Sequence, residues 1–373
     1  MKIVCTGISG SGRVQYLNKA LAVAKERGRS LELLNIGEMM FEAAKKLGRE
    51  IKEEKILDIP QPTLDWLRAA VFEQILRRIY GDDKKDYVIS THAAFRWKKY
   101  LLPAFDFFYL NELSPDLYVT VIDDVFSIKY RLETNPQWRG RLNLREIAIW
   151  QDEEIFITKM LANYQRRPHY IIALKEPGET LYDLIYTDKK KVYLSFPITH
   201  VRGLEEHLND VKRFRDRLRK YFVVFDPMTI NDMEQLYKAK EACEKGSEKV
   251  VVEVDEGSLE LSVNEVLEAE EDIKSQTVRR DYLLIDQSDM VIVYYPIAVM
   301  SPGVLAEMIY GFSNNKDVYV IFTGSKGKSP FFEYYATRIF NSVEEFFNFI
   351  VEEGLASGPV KEEGLAEVLE GSG

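Results

Sequence analysis

The sequence predicts an α/β protein made of two doubly wound, parallel-sheet domains and a β-hairpin insertion. Short apolar runs alternate with amphipathic helical segments through the first half, and this alternation restarts after the lysine-rich stretch 187–191. Two runs in which Val and Leu alternate with Glu flank the turn 255–257, a pattern typical of a hairpin. Because helices supply the crossovers that parallel strands need, each half is expected to fold around its own parallel sheet.

The first predicted domain covers residues 1–187 and is expected to contain five strands. These strands are the apolar runs 3–6, 30–35, 87–91, 117–122 and 169–174. A helix is predicted over 14–27, where Gly28 supplies a favourable helix end. The segments 37–49 and 63–80 show the apolar period of two more helices.

The second predicted domain covers residues 188–353. Its predicted strands are 192–195, 221–225, 290–295 and 318–322, with a basic helix over 203–220. An insertion at about 235–275 is predicted to contain the hairpin, 249–263, and an acidic helix, 264–274. The last residues, 354–373, are rich in Gly and Glu and are predicted to be a flexible acidic tail.

Charge, cysteine content and hydropathy exclude several classes of protein. The formal net charge of −10, from 50 Lys and Arg against 60 Asp and Glu, disfavours direct contact with a nucleic-acid backbone. The two cysteines, Cys5 in an apolar strand and Cys243 in a charged helix, give no disulfide framework. No apolar run reaches the roughly 18 residues of a membrane span and no signal peptide is visible, so a cytoplasmic protein without membrane contact is predicted.

A glycine-rich segment follows the first predicted strand and precedes the first predicted helix. It runs Gly-Ile-Ser-Gly-Ser-Gly-Arg-Val over residues 7–14. Glycines let successive backbone amides face an anion, and the helix N-terminus adds positive potential. Candidate ligands for the phosphates of ATP or AMP are therefore Gly7, Gly10, Ser11, Gly12 and Arg13.

Two positions of this segment depart from what phosphoryl transfer needs. That chemistry uses a lysine to reach the β and γ phosphates and a hydroxyl to hold Mg²⁺. Here Arg13 and Val14 occupy those positions, and a valine side chain cannot coordinate a metal. The segment thus predicts nucleotide binding without kinase activity, Mg²⁺ is not expected to be held by Val14, and no metal site is predicted.

The first 185 residues resemble the archaeal adenylate kinase family of nucleoside monophosphate kinases. The resemblance is carried by residues 2–12, by the run Val-Ile-Ser-Thr-His at 88–92 and by Tyr-Leu-Leu-Pro at 100–103. It implies that Thr91 and His92 lie near the glycine-rich segment, and it places Ser90 where the family has Asp. An arginine-rich, lid-like run either contacts phosphate or is a solvated face; its members are Arg131, Arg139, Arg141 and Arg145.

Residues 191 to about 325 resemble the nucleoside 2-deoxyribosyltransferase superfamily, which includes nucleotide N-glycosidases. The matching residues are Lys191, Tyr193, Pro197, Arg202, Gly203, Asp281, Asp289, Ser301, Gly303 and Glu307. The resemblance implies that Glu307 attacks the anomeric carbon, that Asp281 protonates the departing base and that Tyr193 positions the nucleophile. It also implies that a 5′-phosphate is held by Arg202, Ser301 and Gly303.

Several of these residues also have a purely structural interpretation. Glu307 is predicted to lie in the first turn of a helix, where a carboxylate complements the helix dipole whether or not it is catalytic. Asp281 either serves as the acid or pairs with a neighbouring arginine, Arg279 or Arg280. Phe196 stands where the family has a small residue, so its ring either stacks on a base or fills the pocket.

Two functions from different classes follow. The first is a nucleotide-binding protein whose second domain hydrolyses or transfers the N-glycosidic bond of a nucleoside 5′-monophosphate. The alternative is a non-catalytic, nucleotide-sensing homodimer with a ribosomal protein as a candidate partner, in small-subunit biogenesis or translation regulation. The resemblance to the transferases implies a homodimer. The hairpin 249–263 adds an apolar face that either a second copy or its own domain's helices must cover.

Overall fold

The structure, a computed structural model, describes residues 1–46, 48, 51–82, 84–97, 100–201, 203–297, 299–322 and 330–356. The chain forms two compact units, one of Met1–Tyr182 with Met228–Leu283 and one of Asp183–Pro227 with Leu284–Gly373. Each unit is built around a five-stranded sheet with parallel pairing and flanking helices. The predicted fold class, two α/β domains with parallel sheets, is therefore confirmed.

Fourteen strands are present in the described residues. They are β1 (Lys2–Thr6), β2 (Leu31–Asn35), β3 (Asp86–Ser90), β4 (Ala94–Trp97), β5 (Tyr100–Pro103), β6 (Leu117–Ile122), β7 (His169–Ala173), β8 (Lys191–Ser195), β9 (Val223–Phe225), β10 (Lys249–Val254), β11 (Gly257–Ser262), β12 (Met290–Tyr295), β13 (Asp317–Phe322) and β14 (Arg338–Phe340). The strands predicted for both sheets are all found. The short strands β4 and β5, which form a separate antiparallel pair, and the edge strand β14 were not predicted, because runs of three or four residues carry little periodicity.

Fifteen α-helices are present in the same part of the chain. They are α1 (Arg13–Glu26), α2 (Ile36–Lys46), α3 (Gln61–Gly81), α4 (Phe107–Leu113), α5 (Val125–Thr134), α6 (Leu144–Tyr164), α7 (Gly178–Tyr186), α8 (Ile198–Val201), α9 (Glu205–Leu218), α10 (Asp232–Glu244), α11 (Val263–Glu268), α12 (Glu270–Asp286), α13 (Pro302–Ser313), α14 (Pro330–Tyr334) and α15 (Val343–Glu352). The predicted acidic helix 264–274 is in fact two helices, α11 and the start of α12.

In the first unit the strand order is β2-β3-β1-β6-β7, and every neighbouring pair is parallel. The carboxyl ends of β1, β3 and β6 therefore lie side by side. The segments that follow these strands begin at Gly7, Thr91 and Asp123. Since ligands of open α/β sheets bind at this edge, the topology brings the glycine-rich segment and the Thr91–His92 pair to one place.

In the second unit the strand order is β14-β13-β12-β8-β9. The chain passes from β8 to β9 on one side and then returns to place β12 on the other side of β8. This reversal leaves a crevice at the carboxyl ends of β8 and β12, where such sheets bind ligands. Ser195 ends β8 and Tyr295 ends β12, so both residues flank the crevice.

The β10–β11 hairpin packs with the first unit, although it interrupts the stretch of sequence predicted as the second domain. Its inward side chains Val250, Val252 and Leu261 are buried in one apolar cluster with Phe126 and Trp138. The register pairs Val252 with Leu259 across an antiparallel ladder. The apolar face of the hairpin is thus covered by residues of the first unit, whereas the two arrangements considered from the sequence were a second copy and helices of the predicted second domain.

Candidate functional site

The glycine-rich segment forms a tight loop between β1 and α1. Gly10 and Gly12 adopt left-handed backbone conformations with φ of 80° and 73°. A Cβ atom on Gly12 would lie 2.4 Å from Leu174 Cδ2, so a side chain at this position would require Leu174 to move. The loop ends where α1 begins at Arg13, and the positive end of the helix dipole therefore faces the loop.

Arg13 is turned back onto the loop. Its Nε donates to Ser90 Oγ at 2.8 Å, and its Nη1 donates to the Gly7 carbonyl at 2.5 Å. Burial lowers the pKa of Arg13, and the neighbouring Glu154 carboxylate partly offsets this effect. Arg13 and Ser90, two positions at which the chain departs from the kinase pattern, are therefore hydrogen-bonded to each other.

Glu154 of α6 ties the loop to the segment after β3. Its wholly buried carboxylate accepts backbone N–H bonds from Gly7 at 3.0 Å, Ala93 at 2.7 Å and Ala94 at 2.9 Å. Burial raises the pKa of Glu154 to about 7, against the opposing effect of these hydrogen bonds and of Arg13. Glu154 was not identified as a site residue from the sequence. A signal was available, because Glu154 lies four positions after Trp150 and four before Thr158, which puts its carboxylate on the buried face of α6.

A cavity of about 340 Å³ opens beside the loop. Two cations, Arg13 and Arg68, line it together with Thr91 and His92. Its apolar wall comes mainly from α2, α3, the β4 strand and the segment before α6, through Met40, Phe41, Leu64, Phe95 and Trp138. A cavity with cations on one side and apolar or aromatic side chains on the other fits a ligand that carries both an anionic group and a flat ring.

Arg68 and His92 have different charge states in this cavity. Arg68 is mostly buried on α3, where its Nη1 pairs with Asp65 Oδ1 at 2.9 Å. Burial and the nearby Arg13 charge hold the pKa of His92 well below its usual range, so its imidazole is neutral. The His92 ring also packs on Phe95, with a centroid separation of 4.3 Å. Arg68 therefore provides charge, whereas His92 provides a ring and a neutral polar atom.

One lid-like arginine contacts the glycine loop. The Nη1 of Arg131 donates to the Gly10 carbonyl at 2.6 Å. The others pair elsewhere: Arg139 donates to the Glu133 carbonyl, Arg141 lies over the Trp97 ring and Arg145 pairs with Asp272. The four residues therefore contact four different parts of the chain.

In the second unit, Ser195 and Glu307 meet at the crevice between β8 and β12. The Ser195 hydroxyl donates a short hydrogen bond to Glu307 Oε2. Ser301 is the N-cap residue of α13, and its carbonyl accepts from Leu305 N at 3.0 Å. The expectation that Glu307 lies in the first helical turn is wrong. Because α13 begins at Pro302, Glu307 is its sixth residue and lies beyond the turn where the helix dipole acts strongly.

The other predicted residues of this site lie on several different elements of the chain. Tyr193 is fully buried on β8, and Gly303 is exposed in the first turn of α13. Arg202 lies outside the described residues. Asp281 belongs to the first unit, where its Oδ1 lies 3.9 Å from Arg280 Nε, and burial raises its pKa to about 6 against the Arg280 charge. A common site for Tyr193, Asp281 and Glu307 stays a prediction.

Asp289 and Phe196 lie at opposite ends of β8 in the second sheet. Asp289 Oδ2 accepts from Lys191 N at 2.7 Å and pairs with Lys191 Nζ at 3.1 Å, at the amino ends of β8 and β12. It thus lies at the sheet edge opposite Ser195. Phe196, directly after β8, is 3% exposed and packs into the interior.

Comparison with known proteins places the similarity in the first half of the chain. A family model described as an AAA domain matches residues 6–148. Adenylate kinases from Methanococcus vannielii and Methanocaldococcus jannaschii are 29% and 27% identical, over 33% and 32% of this chain and 62% and 60% of their own. The adenylate kinase of Methanoculleus marisnigri is 26% identical over 44% of this chain and 84% of its own. Residues 6–148 are thus similar to P-loop, adenylate kinase-like domains, and we refer to them as the P-loop domain.

The P-loop domain spans about three-fifths of the length of the first two kinases. The family match ends at residue 148, before the second unit begins. A solved structure of an uncharacterized protein from Eubacterium ventriosum covers 50% of this chain and 95% of its own at 17% identity, but with a TM-score of 0.25 it carries no structural argument.

Two other kinds of feature are absent from the described ranges. No helix there is long and apolar enough to cross a membrane. In the same ranges no group of three or more His, Cys, Asp or Glu side chains is arranged to hold a metal ion.

Proposed function

We propose that the P-loop domain binds a nucleoside monophosphate, such as AMP, in the 340 Å³ cavity and transfers no phosphoryl group. The observation that carries this proposal is the cavity itself. It combines Arg13 and Arg68 with an apolar wall, directly beside the glycine loop. The two guanidinium groups suit a phosphate monoester, and the aromatic side chains suit a base.

The absence of transfer follows from how Arg13 is held. Phosphoryl transfer uses a lysine that reaches the β and γ phosphates of the bound nucleotide. Arg13 stands at that position, and its side chain is hydrogen-bonded to the Gly7 carbonyl and to Ser90. Val14 follows it and offers no oxygen for a metal ion. Nucleotide affinity is therefore retained in this proposal while the groups that stabilise the transferred phosphoryl are missing.

Arg68→Ala is expected to weaken AMP binding by about 10- to 100-fold, because it removes a buried, charge-assisted contact to the phosphate. Isothermal titration calorimetry with AMP measures this loss. Arg77→Ala is the matched control, since Arg77 lies on the same helix but is 82% exposed and pairs only with Glu73 among the contacts described. Equal affinities for the two variants would contradict the assignment of the cavity, and ADP formed from ATP and AMP would contradict the lack of transfer.

A second candidate activity concerns the Ser195–Glu307 pair. In this proposal Glu307 attacks the anomeric carbon of a nucleoside 5′-monophosphate, and the C–N bond to the base breaks. The base leaves with a proton from a general acid, a role that the sequence resemblance gives to Asp281, and water then releases the sugar phosphate from Glu307. Support comes from the position of the pair at the crevice and from the Ser195 hydrogen bond, which orients the carboxylate. Tyr193, Arg202, Ser301 and Gly303 are proposed to complete the site.

Glu307→Gln is expected to lower base release by at least about 100-fold, because an amide cannot act as the nucleophile. The assay incubates the protein with a panel of deoxynucleoside monophosphates and measures free base by chromatography. Glu333→Gln on the exposed surface of the same unit is the control. Base release that persists unchanged in Glu307→Gln removes the carboxylate from the reaction, and no release by the wild type removes the activity.

If neither unit has catalytic activity, the chain is proposed to act as a nucleotide-sensing factor, as a homodimer and with a ribosomal protein as partner. The dimer rests on the resemblance to the transferases. The hairpin no longer adds to it, because its apolar side chains are buried within the first unit.

A further inference from the structure

The turn of the β10–β11 hairpin carries two carboxylates, Asp255 and Glu256, and both pair with cations at the carboxyl edge of the first sheet. Glu256 Oε1 accepts from Arg131 Nε at 2.7 Å and lies 2.7 Å from Arg131 Nη2. Asp255 Oδ2 lies 3.2 Å from Lys175 Nζ, just after β7. We refer to Asp255 and Glu256 as the acidic tip.

The acidic tip reaches the glycine loop through a single side chain. Arg131 donates from Nη1 to the Gly10 carbonyl at 2.6 Å while its Nη2 also pairs with the buried Asp123 at 2.7 Å. The Glu256 carboxylate is therefore separated from the loop by one guanidinium group. Arg131 and Lys175 follow β6 and β7, which lie on the opposite side of β1 from β3, whereas Arg68 lies on α3, the helix that leads into β3.

Specific contacts hold the hairpin turn in place. Tyr130 Oη donates to the Glu256 carbonyl at 3.1 Å. A Cβ atom on Gly257 would lie 2.6 Å from Tyr130 Oη, so the turn and the Tyr130 side chain approach each other closely. The rest of the hairpin is held by its buried apolar face. The carboxylates nevertheless remain accessible to solvent, with side-chain exposures of 32% for Glu256 and 70% for Asp255.

We propose that the acidic tip is an internal anion that occupies the polyphosphate side of the nucleotide site. Arg131 and Lys175 are the cations that a chain of phosphates leaving the glycine loop on this side would contact. The tip pairs with both of them, in addition to the neighbouring carboxylates Asp123 and Asp124. A carboxylate offers a guanidinium anionic oxygen acceptors as a phosphate does, and here Glu256 Oε1 lies within 2.7 Å of two nitrogens of Arg131. The cavity beside Arg68 stays open, so the site takes a nucleoside monophosphate and discriminates against a triphosphate.

This inference rests on the proposed function in one respect only, which is that the open cavity holds the monophosphate. The pairing of the acidic tip with Arg131 and Lys175 does not depend on what the cavity binds. A polyphosphate can enter only by exchanging with the tip. Binding of a polyphosphate therefore displaces the hairpin turn, and any change that displaces the turn must in the same measure strengthen polyphosphate binding.

The test uses the full-length chain and inorganic tripolyphosphate, which has no base, with AMP as the second ligand. In the Asp255→Asn, Glu256→Gln double variant, tripolyphosphate is expected to bind about tenfold more tightly than to the wild type, because two competing negative charges are gone. AMP affinity is expected to change less than about twofold. Glu260→Gln is the matched control, because it removes a carboxylate from the same hairpin that pairs with Lys249 instead.

Each outcome decides a separate point. An unchanged tripolyphosphate affinity in the double variant, or an equal gain in Glu260→Gln, overturns the role of the tip. A gain for tripolyphosphate in a protein that does not bind AMP supports the tip and rejects the proposed monophosphate site. In the wild type, saturating tripolyphosphate is expected to speed amide hydrogen exchange over 249–262, and unchanged exchange there also overturns the proposal.

Discussion

Glu154→Ala is expected to destabilise the first unit by about 3–5 kcal/mol, because it strands three buried backbone N–H donors at once. The donors belong to Gly7, Ala93 and Ala94, so the glycine loop and the start of β4 lose their common partner. Urea denaturation followed by tryptophan fluorescence measures the loss selectively, since all four tryptophans of the chain lie in the first unit: Trp66, Trp97, Trp138 and Trp150.

The same carboxyl group gives a pH dependence of known sign. Burial raises the pKa of Glu154 from 4.5 to about 7 in the folded chain. Between these values the unfolded chain has lost the proton that the folded chain keeps, so raising the pH favours unfolding. The free energy of unfolding of the wild type should therefore decline by up to about 3 kcal/mol across this window, relative to Glu154→Gln.

A control variant and two contrary outcomes test the predictions for Glu154. Glu153→Ala is the neighbouring control, because Glu153 is partly exposed and pairs with Arg96 at the surface, and we expect it to cost less than about 1 kcal/mol. Parallel pH profiles for the wild type and Glu154→Gln would show that Glu154 titrates alike in the folded and unfolded chains. A loss below about 1 kcal/mol in Glu154→Ala would show that water replaces the carboxylate.

Gly12→Ala is expected to destabilise the first unit by about 2–4 kcal/mol and to abolish AMP binding. Part of the cost is the left-handed backbone, with φ of 73°, and the rest is the approach to Leu174, 2.4 Å from the new Cβ. Moving Leu174 or the loop disturbs the start of α1, and the anion site at its N-terminus is then lost.

Gly28→Ala separates the two contributions. Gly28 has nearly the same backbone angle, with φ of 72°, but no heavy atom lies within 4 Å of its Cβ position. It should therefore show only the backbone cost of about 1 kcal/mol, with AMP affinity unchanged. Similar losses for both variants would mean that the loop accommodates a methyl group. Adding Leu174→Ala to Gly12→Ala should recover stability if the steric contact is responsible.

The sequence determined the two-sheet architecture because the signals for it are local. Apolar runs of four to six residues separated by amphipathic helices specify buried parallel strands, and β1, β3, β6 and β12 were each found where those runs lie. The glycine spacing of residues 7–12 likewise predicted the loop before α1, since left-handed backbone positions need glycine wherever the chain folds.

The surroundings of the loop depended on contacts between distant residues. Glu154 meets Gly7 across 147 positions, and Arg13 meets Ser90 across 77. A sequence shows Arg13 and Ser90 as two separate departures from the kinase pattern, and only the parallel pairing of β1 with β3 makes them one hydrogen-bonded pair. The helix boundary at Pro302 similarly moved Glu307 out of the first turn of α13.

The hairpin shows most clearly what pattern alone leaves open. Alternating Val and Glu specify a hairpin with one apolar face, but periodicity does not name the surface that covers it. Burial of Val250, Val252 and Leu261 beside Phe126 and Trp138 selected the first unit, and this packing carried Glu256 to Arg131 at the glycine loop. Local propensity thus fixed the elements, whereas apolar burial and the pairing of charges, which act between residues far apart in sequence, decided what surrounds the nucleotide site.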